Sequence, residues 1–265
     1  MVIGLLICEV LEEEMLHLIA SDPEFKKITF IKTDPGTDLI AGLGQKAGDR
    51  LSVIPDFEDF RPDPEAPLEV LATVLRVGLH VDKELLQQGI VEQGTKLAEK
   101  SDVLLLGYGL CGNVLLDIEK QMAHVLCPIV MPEHADGTKV DDCVCMVLGG
   151  ADKYLDHVRK QAGTWFVTPG WLKHWETLLV KELHCKDIAS VKFVFDRTGY
   201  KRCLMVNTGI AEYDKYRVAT EDFAKVFNFY IEEAEGTLGI IKDSFERAKK
   251  ALKQEGGDSG QFGVS

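Results

Sequence analysis

Two largely apolar stretches, VIGLLIC (Val2 to Cys8) and DVLLLGYG (Asp102 to Gly109), constrain the fold most. Each has the length of a strand, and neither alternates polar with apolar residues. Strands buried on both faces read this way, and they belong to parallel sheets covered by helices. Between and beyond these runs the chain alternates strand-like and helical patterns. Val10, Leu11, Met15, Leu18 and Ile19 recur at helical spacing, and ITFIKT reads as a second strand. The stretch from Pro35 to Pro67, rich in Pro, Gly and Asp, reads as a long loop with a short strand at LSVI. Residues 69–100 read as mostly helical with a break near Gly78 to Val81, and Asp82 is an N-cap for the second helix.

LCPIVMP reads as a strand after a helix through VLLDIEKQMA, and DDCVCMVLGG starts a short helix capped by Asp141 or Asp142. ADKYLDHVRKQA and LKHWETLLVKEL read as helices on either side of the strand and turn GTWFVTPGW. VKFVFD and RCLMVNTG read as strands. The long stretch from Ala211 to Gly236 reads as helical, and a last helix runs to about Lys253. The expected fold is α/β, a mostly parallel sheet flanked by helices in Rossmann-like layers. Residues 1–253 form a single α/β domain or two α/β lobes, and the Gly- and Ser-rich residues 254–265 are a disordered tail.

The formal net charge of -13 argues against nucleic acid and against anionic membrane surfaces as partners. No stretch approaches the roughly 20 apolar residues of a membrane span. The first residues carry neither a basic start nor a small-residue cleavage site, so a cytoplasmic protein is expected. In that compartment the seven cysteines are thiols or metal ligands rather than disulfides.

Ligands in a parallel α/β sheet bind at the carboxyl ends of its strands. Cys8 closes the first strand, Cys111 follows the strand DVLLLG, and Cys143 follows the strand LCPIVMP. These equivalent positions predict that three thiolates converge on one point. Such a set with an open fourth position suits a four-iron, four-sulfur cluster, with zinc as the alternative. Gly107, Gly109 and Gly112, with Asn113, would let a bulky inorganic ligand approach the backbone and would offer N–H donors. The same glycines have the spacing of a dinucleotide-binding turn. No acidic residue closes a second strand about 20 residues on, which argues against a nucleotide. His134 and Asp142 are the candidate acid–base or ligand residues, and His80 and His124 are weaker ones. Thr168, Gly170 and Trp171, in a turn beside Trp165, are candidate pocket residues. Cys127, Cys145, Cys185 and Cys203 read as structural.

Three segments together, LLGYGLCGN, PEH with DDCVCMVLGG, and GTWFVTPGW, resemble the domain-of-unknown-function family 1638, and LICEVLEEEM resembles its opening strand and cysteine. The resemblance runs from Val2 to about Gly239. It implies anaerobic, methanogen-type one-carbon metabolism beside corrinoid-dependent methyl transfer. The resemblance does not give the biochemical role. The three-thiolate site suits a cluster- or metal-dependent lyase or transferase with a small-molecule substrate; corrinoid or methyltransferase proteins and a homo-oligomer are the further partner expectations. A non-catalytic corrinoid-protein or small-molecule binding module is the rival. In the family pattern histidine, aspartate and cysteine adjoin, whereas ADGTKVD separates His134 from Asp142 and Cys143 here. That leaves Asp142 and Cys143 as the better carry-over.

Overall fold

In the computed structural model, which describes residues 1–33 and 37–258, the chain builds two parallel sheets. Strands β1 (Val2–Cys8), β2 (Lys27–Ile31), β3 (Leu51–Ile54), β4 (Glu69–Leu75), β5 (Val103–Gly107) and β6 (Ile129–Val130) form the first, in the order β3-β2-β4-β1-β5-β6. Strands β7 (Thr164–Val167), β8 (Arg202–Asn207) and β9 (Tyr230–Glu235) form the second. Every pairing between named strands is parallel. The helices are α1 (Glu12–Ser21), α2 (Thr37–Ala47), α3 (Lys83–Ala98), α4 (Ile118–Gln121), α5 (Cys143–Leu148) and α6 (Ala151–Lys160), then α7 (Pro169–Leu172), α8 (Trp175–Glu182), α9 (Ile188–Thr198), α10 (Tyr213–Phe227) and α11 (Gly239–Asp258). Among the described residues no helix is long and apolar enough to cross a membrane.

The two apolar runs that pointed to a parallel sheet are its centre. β1 lies between β4 and β5 and is buried along its whole length, which is why it shows no alternation. In register, Cys8 lies beside Leu75, and Ile7 beside Gly107. The carboxyl ends of these neighbouring strands are therefore level. After the second sheet, α11 returns to pack across β5 and β6 of the first.

Four segments differ from their sequence reading. Glu69–Leu75 is a central strand rather than a helix. Val70, Leu71, Val74 and Leu75 have helical spacing, but burial on both faces and the β-branched Val70, Thr73 and Val74 favour the sheet. VKFVFD lies in helix α9. Asp187 caps it by accepting from Ser190 N at 2.8 Å, Gly199 ends it at φ 80°, and Val191 and Phe195, four apart, are its buried face. The helix from Tyr213 stops at Asn228, which is left-handed at φ 57°, and Tyr230–Glu235 becomes edge strand β9. Residues 37–47, read as loop, form α2, while Pro35 lies outside the described residues. The last helix continues through Asp258, and the rest of the expected tail, 259–265, lies outside the described residues.

The residues directly after Cys8 carry a cluster of contacts between the two halves. Lys173 Nζ reaches Glu12 Oε1 at 2.9 Å and Glu13 Oε1 at 2.8 Å. His174 Nε2 lies 3.4 Å from Glu9 Oε1, and Thr208 Oγ1 donates to Glu14 Oε1 at 3.3 Å. Gly170 rests directly on the Val10 carbonyl, where a Cβ would overlap backbone. The acidic run after Cys8 thus joins the two halves.

Candidate functional site

Four adjacent strands, β4, β1, β5 and β6, each send one sulfur- or nitrogen-bearing side chain to the same edge of the first sheet. Cys8 ends β1, His80 lies in the short 3-10 turn Val77–Val81 after β4, Cys111 follows β5, and Cys143 opens α5 after β6. Cys8 Sγ is 3.7 Å from Cys143 Sγ and 3.7 Å from His80 Nε2, and Cys111 Sγ is 3.8 Å from the same Nε2. Cys111 also hydrogen-bonds Cys143. The four atoms form an open ring. They do not all lie within 4.8 Å of one another.

The glycine turn makes this meeting possible. Leu110 N donates to Val140 O and Cys111 N to Asp141 O, both at 2.8 Å, so the turn pairs with the segment leading into α5. That segment crosses Gly109 so closely that a Cβ would lie 2.7 Å from Asp142 Cα. At Gly107 a Cβ would lie 2.8 Å from Met15 Cε and 3.0 Å from Leu6 O, so this glycine admits helix α1 rather than a ligand. Cys111, Gly112 and Asn113 then take three successive left-handed conformations, at φ 47°, 66° and 68°. Cys111 and Asn113 carry the usual cost of that region for a residue with a Cβ. Such strain concentrates at functional positions.

His80 is held as a ligand histidine would be. Its Nδ1 lies 3.0 Å from the Val77 carbonyl, which can only accept, so Nδ1 carries a proton and Nε2 is the nitrogen that faces the thiols. The ring stacks on Tyr108, with centroids 6.1 Å apart, and Tyr108 is itself fully buried. Val77 N donates to Glu9 Oε2 at 2.7 Å, so the residue after Cys8 anchors the turn that carries His80.

Of the three thiols, Cys143 is the one whose ionisation its surroundings favour. Hydrogen bonds from Cys111 first and Cys8 second draw Cys143 well below the ordinary thiol range, helped by the Gly109 N–H. Cys8 is pushed up by burial, and Cys111 by its hydrogen bond to Cys143. Thiolate is the ligand and nucleophile form of cysteine. Cys145 and Cys203, by contrast, are pushed up to about 12 by burial and remain core thiols.

The other candidate residues fall into structural roles. Asp142 caps α5, accepting from Cys145 N at 2.7 Å. The capping also sets Cys143 in the first turn of that helix. His134 lies against Gly150 at the turn between α5 and α6 and bonds Thr138 through its backbone. Thr168 caps α7 by accepting from Trp171 N, Gly170 seats α7 on Val10, and Trp171 packs against Trp165 and Phe223. These three residues build the contact between the sheets. Cys127 precedes β6 instead of lying within it.

Among the described residues, the one His, Cys, Asp or Glu group whose ligand atoms all lie within 4.8 Å of one another is Asp22, Glu24 and Glu246. Lys249 Nζ already bonds all three carboxylates and covers the Phe25 ring, so this group is an ion-pair clasp between α11 and the first sheet.

Glu14 is the other unusual group. It is 1% exposed, its Oε2 is buried without a partner, and burial pushes it up to about 7. An unfolded glutamate titrates near 4.3, so the folded chain keeps a proton that the unfolded chain has lost. Its stabilising effect is complete below about pH 4.3 and disappears as the pH rises to about 7, a change of roughly 3 to 4 kcal/mol. Glu14→Gln is expected to flatten that slope in urea unfolding of the metal-free protein. Parallel pH profiles for variant and parent would show that Glu14 does not titrate there.

The family model described as protein of unknown function (DUF1638) matches residues 74–245, which take in His80, Cys111 and Cys143. No curated protein and no solved structure matches the chain.

Proposed function

The chain belongs to the DUF1638 family, and we propose that it holds one thiophilic metal ion, with zinc the best fit, between Cys8, Cys111, Cys143 and His80. The observation that carries this reading is the spacing around His80 and Cys8. Zinc binds sulfur at about 2.3 Å and nitrogen at about 2.0–2.1 Å, so a tetrahedral ion sets two sulfurs about 3.8 Å apart and sulfur and nitrogen about 3.6 Å apart. The ring edges are 3.7, 3.7 and 3.8 Å. Three cysteines and one histidine are a familiar zinc set, and the second-shell bond from Nδ1 to Val77 O favours Nε2 as ligand. An ion drawing the open ring inward completes the tetrahedron.

A four-iron cluster on the three thiols needs sulfurs about 6 to 7 Å apart. Cys8 and Cys143 at 3.7 Å do not offer that separation. Cys8 and Cys143 are buried, whereas Cys111 is half-buried on left-handed backbone. Cys111 is therefore the ligand suited to yield its place to a substrate, the open position that a catalytic zinc site needs. The reaction class is transfer of a methyl or other alkyl group to sulfur, in the cytoplasm, where free thiols persist. A corrinoid-protein donor rests on the family resemblance alone, and a pull-down between the two purified proteins tests it separately.

Metal and sulfide analysis of protein purified without oxygen tests the ion. One zinc per chain and no acid-labile sulfide is the expected result. Iron and sulfide in equal amounts would replace zinc with the cluster. Protein still metal-free after incubation with zinc, or with iron and sulfide, would sink both. Glu9→Gln, which reaches the site through Val77 and His80 and keeps a side-chain oxygen for His174, is expected to weaken zinc affinity by roughly 10- to 100-fold in chelator competition. Unchanged affinity would remove Glu9 from the ligand support.

A further inference from the structure

The seam between the two halves encloses a cavity of about 210 Å³. Its lining comes from segments that follow β1, β2, β7 and β8, so it lies beyond the carboxyl ends of both sheets. Parallel α/β sheets take ligands at that edge, and small-molecule sites favour the junction of two lobes. Leu16, Leu43 and Ile210 form its apolar wall, and Glu12, Glu13, Lys46 and Lys173 its charged one. Lys173 Nζ is satisfied by Glu12 Oε1 at 2.9 Å and by Glu13 Oε1 at 2.8 Å. Two groups are left over. The Glu12 side chain is 6% exposed, and its Oε2 is buried without a partner, a condition that costs stability. Lys46 has no carboxylate within ion-pair reach among the described residues. A second cavity of about 320 Å³ shares Glu13 and Lys173 with the first. There Glu212 and Lys215 pair with each other at 2.7 Å, and the Tyr216 hydroxyl is spent on the Val167 and Val206 carbonyls. The unmet groups therefore belong to the cavity beside α2.

We infer that this cavity binds a small α-amino acid as its zwitterion, with the ammonium on Glu12 Oε2, the carboxylate on Lys46 and the side chain against Leu16, Leu43 and Ile210. The lining sets two carboxylates against two ammonium groups, so it suits a ligand that carries both charges and no net one. A simple amine would leave Lys46 unmet. A simple carboxylate would leave Glu12 unmet and face its charge. A carboxylate's terminal torsion is soft, so Glu12 can turn Oε2 toward the ligand while Lys173 holds Oε1. At about 30 Å³ per water, the space holds about seven atoms of that size, the number of non-hydrogen atoms in α-aminobutyrate. The inference stands apart from the metal reading, because none of the four ring residues lines this cavity.

Calorimetric titration of the full chain with L-α-aminobutyrate, butyrate and propylamine tests it. The two analogues each keep one charge of the amino acid. The zwitterion is expected to bind at least about tenfold more tightly than either, since hydrogen bonds between charged groups are the strong ones. Lys46→Gln is expected to weaken the zwitterion about tenfold and to erase its advantage over propylamine. Lys46 is exposed, so this variant keeps the fold. Glu12→Gln, which retains an oxygen for Lys173, is expected to erase the advantage over butyrate. No binding of the zwitterion at millimolar concentration would overturn the inference, as would equal affinity for all three compounds. Zwitterion binding that neither variant changes would place the amino acid elsewhere and overturn it too.

Discussion

His80→Ala and Cys143→Ser are each expected to leave purification with a metal-to-protein ratio near zero, while His134→Ala and Cys185→Ser keep the parent's ratio. Structural zinc contributes roughly 10–16 kcal/mol of apparent binding at neutral pH when its set is complete. Loss of one of four ligands removes a large share of that. Ser in place of Cys143 also removes the one thiol whose ionisation its neighbours favour, since the hydrogen bonds from Cys111 and Cys8 converge there. His134 lies against Gly150 and is not one of the four ring residues, so its removal leaves the four ligands in place. Plasma emission analysis of the four variants, purified side by side, is the measurement. Full metal in His80→Ala would exclude His80 as a ligand and return the site to three thiols. Loss of metal in His134→Ala would restore the histidine that the sequence favoured.

Gly109→Ala is expected to be nearly as damaging, although it changes no ligand. A Cβ there meets Asp142 Cα at 2.7 Å, Asp142 N at 2.8 Å and Val140 O at 2.9 Å, all of them backbone. No side-chain rotation relieves such contacts. The two strands of loop must part, and with them the 2.8 Å bonds from Leu110 N and Cys111 N. Overpacking of this kind costs about 1–3 kcal/mol. Here it also separates Cys111 from Cys143, so the urea midpoint and the zinc content should fall together. Gly112→Ala is the comparison. A Cβ at Gly112 meets open space, and only its φ of 66° is penalised, at about 1–2 kcal/mol. It should lose stability while keeping more zinc. Equal zinc content in Gly109→Ala and the parent would mean that the crossing of the two loops does not set the thiol spacing.

The placement of Cys8, Cys111 and Cys143 was legible because strand ends in a parallel sheet are functionally equivalent, and each cysteine follows a recognisable apolar run. His80 was not legible for a related reason. Its strand, Glu69–Leu75, has helical spacing of apolar residues, so the sequence places the histidine in a break between helices and not at a strand end. The dinucleotide-like spacing of the glycines, set aside on sequence grounds, has a packing origin. Gly107 makes room for Met15 of α1 and Gly109 for the backbone of Asp142, and neither need is visible from the spacing of glycines.

Local pattern fixed the sheet class, the capping of α5 by Asp142 and the strand-end positions of three thiols, since burial on both faces and capping leave their mark within a few residues. Strand order was decided only in three dimensions. Inserting β4 between β2 and β1 brought His80 beside Cys8, 72 residues away in sequence. Docking of the second sheet onto the acidic run after Cys8 buried Glu14 and left one of its oxygens without a partner. Desolvation depends on what covers a group, and at Glu14 that cover includes Thr208, 194 residues further along the chain.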